Sequence, residues 1–334
     1  MRPNFFIVGA PKSGTTALCE YLRSHPNVFM CSPKEPHYFA TDFPKKRLVT
    51  NQNDYLKLFA LANENHLRVG EASVWYLYSR DAIRNIKQFA PEAKIIVMLR
   101  NPVDFVYSMH SQALYTRNEN ENDFRHAWAL TSQRRNGNHI PNDCKEIKLL
   151  FYDEIGLLGE QIERLCRIFP LQQIKTIFFD DLVNDTKRIY YDVLAFLELP
   201  DDFRNDFPIV NSNKRHRLQF LSKLTRRPPI CLLRAVESFK RISGLEELGL
   251  LRTIECLNRN NEKRPQLDKE IRELIIETYR NDVIKLSRMT GRDLTRWIEG
   301  LESPRESMGL PTNDGHAVEA GKLRNRGDST KTQA

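Results

Sequence analysis

Lys12 is the only cation in Gly9-Ala10-Pro11-Lys12-Ser13-Gly14-Thr15-Thr16, and that short stretch carries the strongest chemical signal in the chain. The apolar run Phe5-Phe6-Ile7-Val8 precedes it, and Thr15 to Leu22 follows with Leu18 and Leu22 one helical turn apart. A strand, a glycine-containing turn and a helix in that order gather free backbone N–H groups and the positive end of a helix dipole around an anion. Lys12, Ser13, Gly14, Thr15 and Thr16 are therefore the candidate phosphate ligands. A second candidate anion site lies at Arg100, directly after the apolar run Ile95 to Leu99, with Ser108 eight residues further on. Asn101-Pro102 with Asp104 predicts a helix start, with Asn as cap and Pro at the first helical position. Arg100 then stands just before that helix and Ser108 near its second turn, where a guanidinium and a hydroxyl bind one phosphate from two directions. Spacing alone also fits an arginine paired with a carboxylate and a serine on a solvated face.

The nearest rival is a P-loop nucleotide kinase or nucleotidase, whose loop is G-x-x-x-x-G-K-[ST]. Gly9 and Gly14 have that separation, but Thr15 stands at the lysine position and the one lysine comes three residues earlier. A magnesium-dependent enzyme also uses an Asp at the end of a neighbouring strand. Here that place is taken by Arg100, which binds an anion.

Pro11 to Thr16 resembles the 5′-phosphosulfate loop of sulfotransferases that use 3′-phosphoadenylyl sulfate (PAPS), and Leu99-Arg100-Asn101-Pro102 with Ser108 resembles their 3′-phosphate site. His25-Pro26 and Lys34-Glu35-Pro36-His37-Tyr38-Phe39 are most similar to the heparan-sulfate-type carbohydrate sulfotransferases and their bacterial relatives. The resemblance runs from about Asn4 to Lys214. It implies PAPS as donor substrate, no metal, and a hydroxyl or amine acceptor, in all expectation on a carbohydrate. It implies that Lys12 stabilises the bridging oxygen, that Glu35 is the general base with His37 as runner-up, and that Lys214, in Val210 to Arg215, belongs to a loop closing over the nucleotide. One departure stands out. Where the 3-O-sulfotransferases have a lysine after the glutamate of an E-K-T-P-A-Y-F-like segment, this chain has Glu71-Ala72, which puts a glucosamine 3-hydroxyl acceptor in doubt. Trp75, Tyr76 and Tyr78 suit either an acceptor groove or the core.

These groups need a scaffold. Phe5 to Val8, Ile95 to Leu99 and Ile174 to Phe179 are short, nearly continuous apolar runs, the pattern of strands buried on both faces of a parallel sheet. Helical spacing is legible in Thr15 to Leu22, Arg80 to Phe89 and Ile155 to Phe169, so strands alternate with helices and the class is α/β: a P-loop-type parallel sheet flanked by helices. After Pro208 the pattern becomes a helical C-terminal half, ending in a periodic helix around Ile271, Leu274, Ile275 and Tyr279. Residues 1–300 are expected to form the sulfotransferase domain and 301–334, polar and without aromatics, a disordered tail.

Composition sets the outer limits. The 334 residues are 40% hydrophobic and 28% charged, the balance of a globular protein. No apolar run approaches the roughly 20 residues of a membrane span. The first strand begins so near Met1 that no signal peptide is expected before it, and the chain reads as cytoplasmic. The six cysteines are scattered without zinc spacing and read as buried free thiols. Of the +8 net charge, the stretch from Asn211 to Arg241 holds nine Lys or Arg against Glu237 alone. That field attracts an anionic ligand and leaves open a third reading, a non-catalytic binder of anionic polymers, beside the more ordinary one of solvated helix faces. The chain is expected to be a PAPS-dependent sulfotransferase with no nucleic-acid partner.

Overall fold

The computed structural model describes residues 1–208, 215–216, 259–260 and 265–299. Five strands, β1 (Phe5–Gly9), β2 (Val28–Met30), β3 (Arg68–Ala72), β4 (Lys94–Leu99) and β5 (Ile174–Phe178), form one sheet in the order β2-β3-β1-β4-β5. All four pairings are parallel, with Phe6 opposite Glu71, Ile7 opposite Ile96 and Leu99 opposite Phe178. The three expected strands are present within a residue at each end. Parallel pairing has one consequence for function: every strand delivers its carboxyl end to the same edge, where ligands of open α/β sheets bind.

Helices cover both faces because the strands bury side chains on both. One layer packs around Phe5, Ile7, Ile96 and Met98, with Leu18 and Leu22 of α1 (Thr15–Arg23) against them. The other packs around Phe6, Val8, Val97 and Leu99. It is closed by α2 (Gln52–Lys57), α3 (Ala82–Phe89), α4 (Pro102–Thr116), α5 (Phe124–Ala129) and α6 (Thr131–Arg135). The helix expected over Ile155 to Phe169 is two, α7 (Tyr152–Ile155) and α8 (Leu158–Cys166). The break falls at Gly156, where a Cβ would come 2.2 Å from Tyr279. After α9 (Phe179–Asn184) and α10 (Thr186–Phe196), the C-terminal α11 (Lys269–Thr290) and short α12 (Thr295–Ile298) complete the described helices. Asp282 of α11 caps α8, accepting from the N–H groups of Gly159 at 2.7 Å and Glu160 at 2.8 Å. Ile271, Ile275 and Tyr279 of α11 are buried, whereas Leu274, expected on the same face, is 51% exposed. Arg215–His216 pairs antiparallel with Arg259–Asn260. The tail expected beyond residue 300 and most of the expected helical stretch after Pro208 lie outside the described residues.

A buried ion pair pins the helices behind α4. Arg134 and Glu119 have no exposed side-chain surface and meet in two bonds of 2.7 Å. Glu119 also accepts from Tyr152 Oη at 3.0 Å and from the N–H groups of Asn120 and Glu121. Burial opposes ionisation of Glu119, and the Arg134 guanidinium outweighs it, holding the carboxyl below its ordinary range. Arg134→Met strands that carboxylate, so unfolding titrations should show a loss of about 3–5 kcal/mol, mostly regained when Glu119→Leu is added. A single variant within about 1 kcal/mol of the parent would mean the pair is dispensable.

Candidate functional site

The site is assembled at the carboxyl edge of the sheet, beginning with the loop after β1. Gly9 (φ 138°) and Gly14 (φ 87°) both occupy conformations that favour glycine, and both are tightly walled. A Cβ on Gly9 would meet Val74 O at 2.5 Å, and one on Gly14 would meet Leu182 Cδ2 at 2.6 Å. Between them the loop is anchored by Ala10 N–H donating to Met98 O at 2.6 Å. Among the described residues, the N–H groups of Ser13, Gly14, Thr15 and Thr16 donate to no main-chain acceptor. Four successive donors at the start of a nine-residue helix form a cradle suited to an anion. Lys12 Nζ lies 3.4 Å from Gln112 Oε1 on α4, so a residue the sequence reading did not single out holds the loop lysine.

Arg100 follows β4 as expected, and Asn101 caps α4 by accepting from Val103 N–H at 3.0 Å, with Pro102 first in the helix. The Arg100 guanidinium stacks over Phe179 at 4.7 Å and donates to Lys12 O at 3.4 Å. Asp104, 3.8 Å from Arg100 and 4.0 Å from Arg272, fixes it from the other side. Ser108 is buried one helical stretch further along α4. The two anion sites read separately from sequence, 88 residues apart between Lys12 and Arg100, are thus joined by one hydrogen bond.

The third component comes from the loop after β2. Lys34 Nζ donates to Thr16 Oγ1 at 3.0 Å, tying this loop to the phosphate cradle, and lies 3.4 Å from Glu35 Oε1. His37 Nε2 stands 3.4 Å from Glu35 Oε2. Burial opposes ionisation of Glu35, but His37 and the Lys34 charge outweigh it and hold the carboxyl below the ordinary glutamate range. The Glu35 side chain is 37% exposed, while His37 is buried with its Nδ1 lacking a hydrogen-bond partner among the described residues. Lys12 (φ 61°), Glu35 (φ 64°) and His37 (φ 49°) are three of the seven described non-glycine residues at positive φ, the backbone state that surrounding structure must enforce.

What enforces it in the base loop is β3. Glu35 N–H donates to Ala72 O at 3.1 Å, His37 N–H to Ser73 Oγ at 3.0 Å, and Phe39 N–H to Tyr76 Oη at 3.3 Å. Ser73 Oγ in turn donates to Glu71 at 2.6 Å and Tyr55 Oη to Glu71 at 2.5 Å. Glu71 is wholly buried, and that burial raises its pKa. It positions the loop from behind, through Ser73, and is sealed from solvent. Trp75 and Tyr76 are buried in the core, which settles their double reading against the acceptor groove, and Tyr78 is half-buried. Cys19 and Cys31 are buried free thiols as expected, Cys144 and Cys166 are free and half-buried, and Cys231 and Cys256 lie outside the described residues. Lys214 also lies outside them, as does the basic 211–241 segment apart from the backbone of Arg215 and His216.

A family model described as the sulfotransferase domain matches residues 2–223. Heparan sulfate glucosamine 3-O-sulfotransferase 3B1 of Homo sapiens is 25% identical over 292 residues, covering 87% of this chain and 64% of the relative. Carbohydrate sulfotransferase 15 of Mus musculus is 27% identical over 252 residues, covering 59% of this chain and 44% of the relative. The chain therefore spans less than two thirds of the length of these curated relatives. The crystal structure of a sulfotransferase from Alicyclobacillus acidocaldarius superposes with a TM-score of 0.65 at 26% identity, over 89% of this chain and 99% of that one.

Proposed function

Since the chain belongs to the sulfotransferase family, we propose that it transfers the sulfuryl group of PAPS to a hydroxyl of a carbohydrate acceptor. The observation that carries the reading is the bond from Arg100 to the Lys12 carbonyl, which makes one bipartite site from a phosphosulfate cradle and a phosphate-binding arginine. A nucleotide phosphorylated at both 3′ and 5′ positions is the ligand such a pair selects. The donor's 5′-phosphosulfate takes the N–H groups of Ser13 to Thr16, and its 3′-phosphate takes Arg100 and Ser108.

Transfer then needs a proton acceptor on the far side of sulfur and charge stabilisation at the leaving oxygen. Glu35 removes the proton from the acceptor hydroxyl as its oxygen bonds to sulfur. The bond from sulfur to the bridging oxygen breaks, its electron pair passes to the nucleotide phosphate, and Lys12 neutralises the charge that develops there. The products are a sulfate ester and adenosine 3′,5′-bisphosphate. His37 orients the Glu35 carboxylate from its second oxygen. The sugar acceptor is supported by the relatives named above and by the accessible edge of Glu35. A cytoplasmic location is part of the same proposal, supported by the four cysteines among the described residues, which are all free thiols. No helix among the described residues is long and apolar enough to cross a membrane.

A transfer screen with labelled PAPS across sugars, phenols and lipids tests the reading, and label that moves only to phenols or lipids would overturn the sugar acceptor. The donor site has its own check. Arg100→Ala and Ser108→Ala should each weaken adenosine 3′,5′-bisphosphate about tenfold or more while changing adenosine 5′-phosphate much less, because only the former carries the 3′-phosphate. Equal weakening of both nucleotides in a titration would refute the assignment.

A further inference from the structure

The segment that follows β5 touches both halves of the proposed donor site. Phe179 lies against the Arg100 guanidinium at 4.7 Å. Leu182 and Phe179 also wall the cradle, so close to Gly14 that an added Cβ would come within 2.6 Å and 3.3 Å of them. Asp104, at 3.8 Å, fixes Arg100 from the side of α4. On its other side the arginine rests on an aromatic ring, and the place of that ring is decided by the far end of the chain. α11 is anchored on α8 through Asp282 and ends at Gly291, whose φ of 65° turns the chain out of the helix. The next residue, Arg292, donates to both carboxylate oxygens of Asp181 at 2.6 and 2.7 Å, while its guanidinium lies over the Phe178 ring at 4.8 Å. Ser287 Oγ holds the Arg292 carbonyl in turn at 2.6 Å.

On α12, Trp297 is buried, meets Phe178 with ring centroids 5.8 Å apart and gives its indole N–H to the Asp180 carboxyl. Burial raises the Asp180 pKa, and the nearby Arg100 charge pulls against that rise. Phe178, Asp180 and Asp181 are thus gripped by one short stretch of chain, and Phe179, between them, carries Arg100. A single exposed ion pair is ordinarily worth little. This one is bidentate and its Asp181 partner is only 18% exposed, a geometry that sets orientation as well as energy. We propose that Arg292 and Trp297 are positioning residues for the donor: by locking residues 178–181 they hold the Phe179 ring against which Arg100 is set to meet the 3′-phosphate. The inference rests on the donor-site reading of Arg100 and adds to it a remote element of the fold.

A double-mutant cycle on adenosine 3′,5′-bisphosphate binding is the test, run on the parent, Arg292→Met, Arg100→Ala and the two combined. A change that only loosens the fold adds to the effect of Arg100→Ala, whereas one that acts through Arg100 does not. Arg292→Met is expected to weaken the bisphosphate about fivefold in the parent and less than about twofold in the Arg100→Ala background. Arg292→Lys, which keeps the charge, should recover part of the loss, and Trp297→Phe should show the same dependence on Arg100. Full additivity, or no loss from Arg292→Met, would overturn the proposal. Adenosine 5′-phosphate keeps this outcome apart from that of the donor reading. If Arg100→Ala weakens both nucleotides equally, the 3′-phosphate assignment falls, while coupling between Arg292 and Arg100 still supports the lock and its absence still refutes it. Amide hydrogen exchange across residues 178–182 gives a result even where neither nucleotide binds. Exchange about tenfold faster in Arg292→Met supports the lock, and unchanged exchange overturns it.

Discussion

Glu35→Gln is expected to lower kcat by about 10² to 10⁴, the usual worth of general-base catalysis, while adenosine 3′,5′-bisphosphate binds within a few-fold of the parent. The amide keeps the shape and reach of the carboxyl and loses only its basicity, and the donor groups at Ser13 to Thr16 and Arg100 are left in place. His37→Ala is the matched control, because His37 touches Glu35 through Nε2 and is otherwise walled in. A glutamine variant that stays active on an alcohol acceptor, beside a histidine variant that dies, would exchange the two roles. The pH profile adds a second readout. Glu35 is held ionised below the ordinary glutamate value of 4.5, so the acid limb of kcat should lie below that pH. Removing a stabilising cation raises a carboxyl pKa. Lys34→Met should therefore move the acid limb to higher pH, and a limb that stays put would mean another group titrates.

Lys12→Ala should lower kcat by about 10² or more with a smaller change in bisphosphate affinity. The backbone donors of the cradle bind the ground-state phosphosulfate whether or not the lysine is present. The charge on the bridging oxygen, by contrast, grows as the bond to sulfur breaks, so a point charge acts there mainly in the transition state. Gln112 holds the ammonium from α4, and Gln112→Ala is expected to show the same signature at a fraction of the size. Single-turnover rates separate chemistry from product release, and a Lys12 variant with normal turnover would remove the lysine from the mechanism.

The fold was legible wherever a local rule decides structure. Phe5 to Val8 and Ile95 to Leu99 are apolar on consecutive residues because both faces of these central parallel strands are covered, whereas Ile174 to Phe178, at the sheet edge, is interrupted by the half-buried Lys175 and Thr176. Strands β2 and β3 were missed for a physical reason. The first has three residues, and the second carries Gly70 and Glu71, both buried, where hydroxyls from Tyr55, Ser73 and Tyr76 make a buried carboxyl tolerable. The chain within Ile155 to Phe169 keeps helical spacing throughout, yet the helix breaks after Gly156 as Leu157 leaves helical dihedrals, and Tyr279, more than 120 residues later, packs where a side chain on Gly156 would sit.

The sequence by itself determined where an anion cradle forms, because such a cradle is a local device of one strand, one turn and one helix start, and the asparagine and proline that launch α4 are equally local. The resemblance carried by Lys34 to Phe39 also singled out the loop to which the proposed base belongs. Only the tertiary structure decided that these pieces form one site. Lys12 meets Arg100 and Lys34 meets Thr16 because parallel pairing sends the ends of β1, β2 and β4 to one edge, and the 43–48 turn folds back upon the loop after β2. Such meetings depend on sheet order and on the return of the chain, and neither is encoded in the spacing of any single motif.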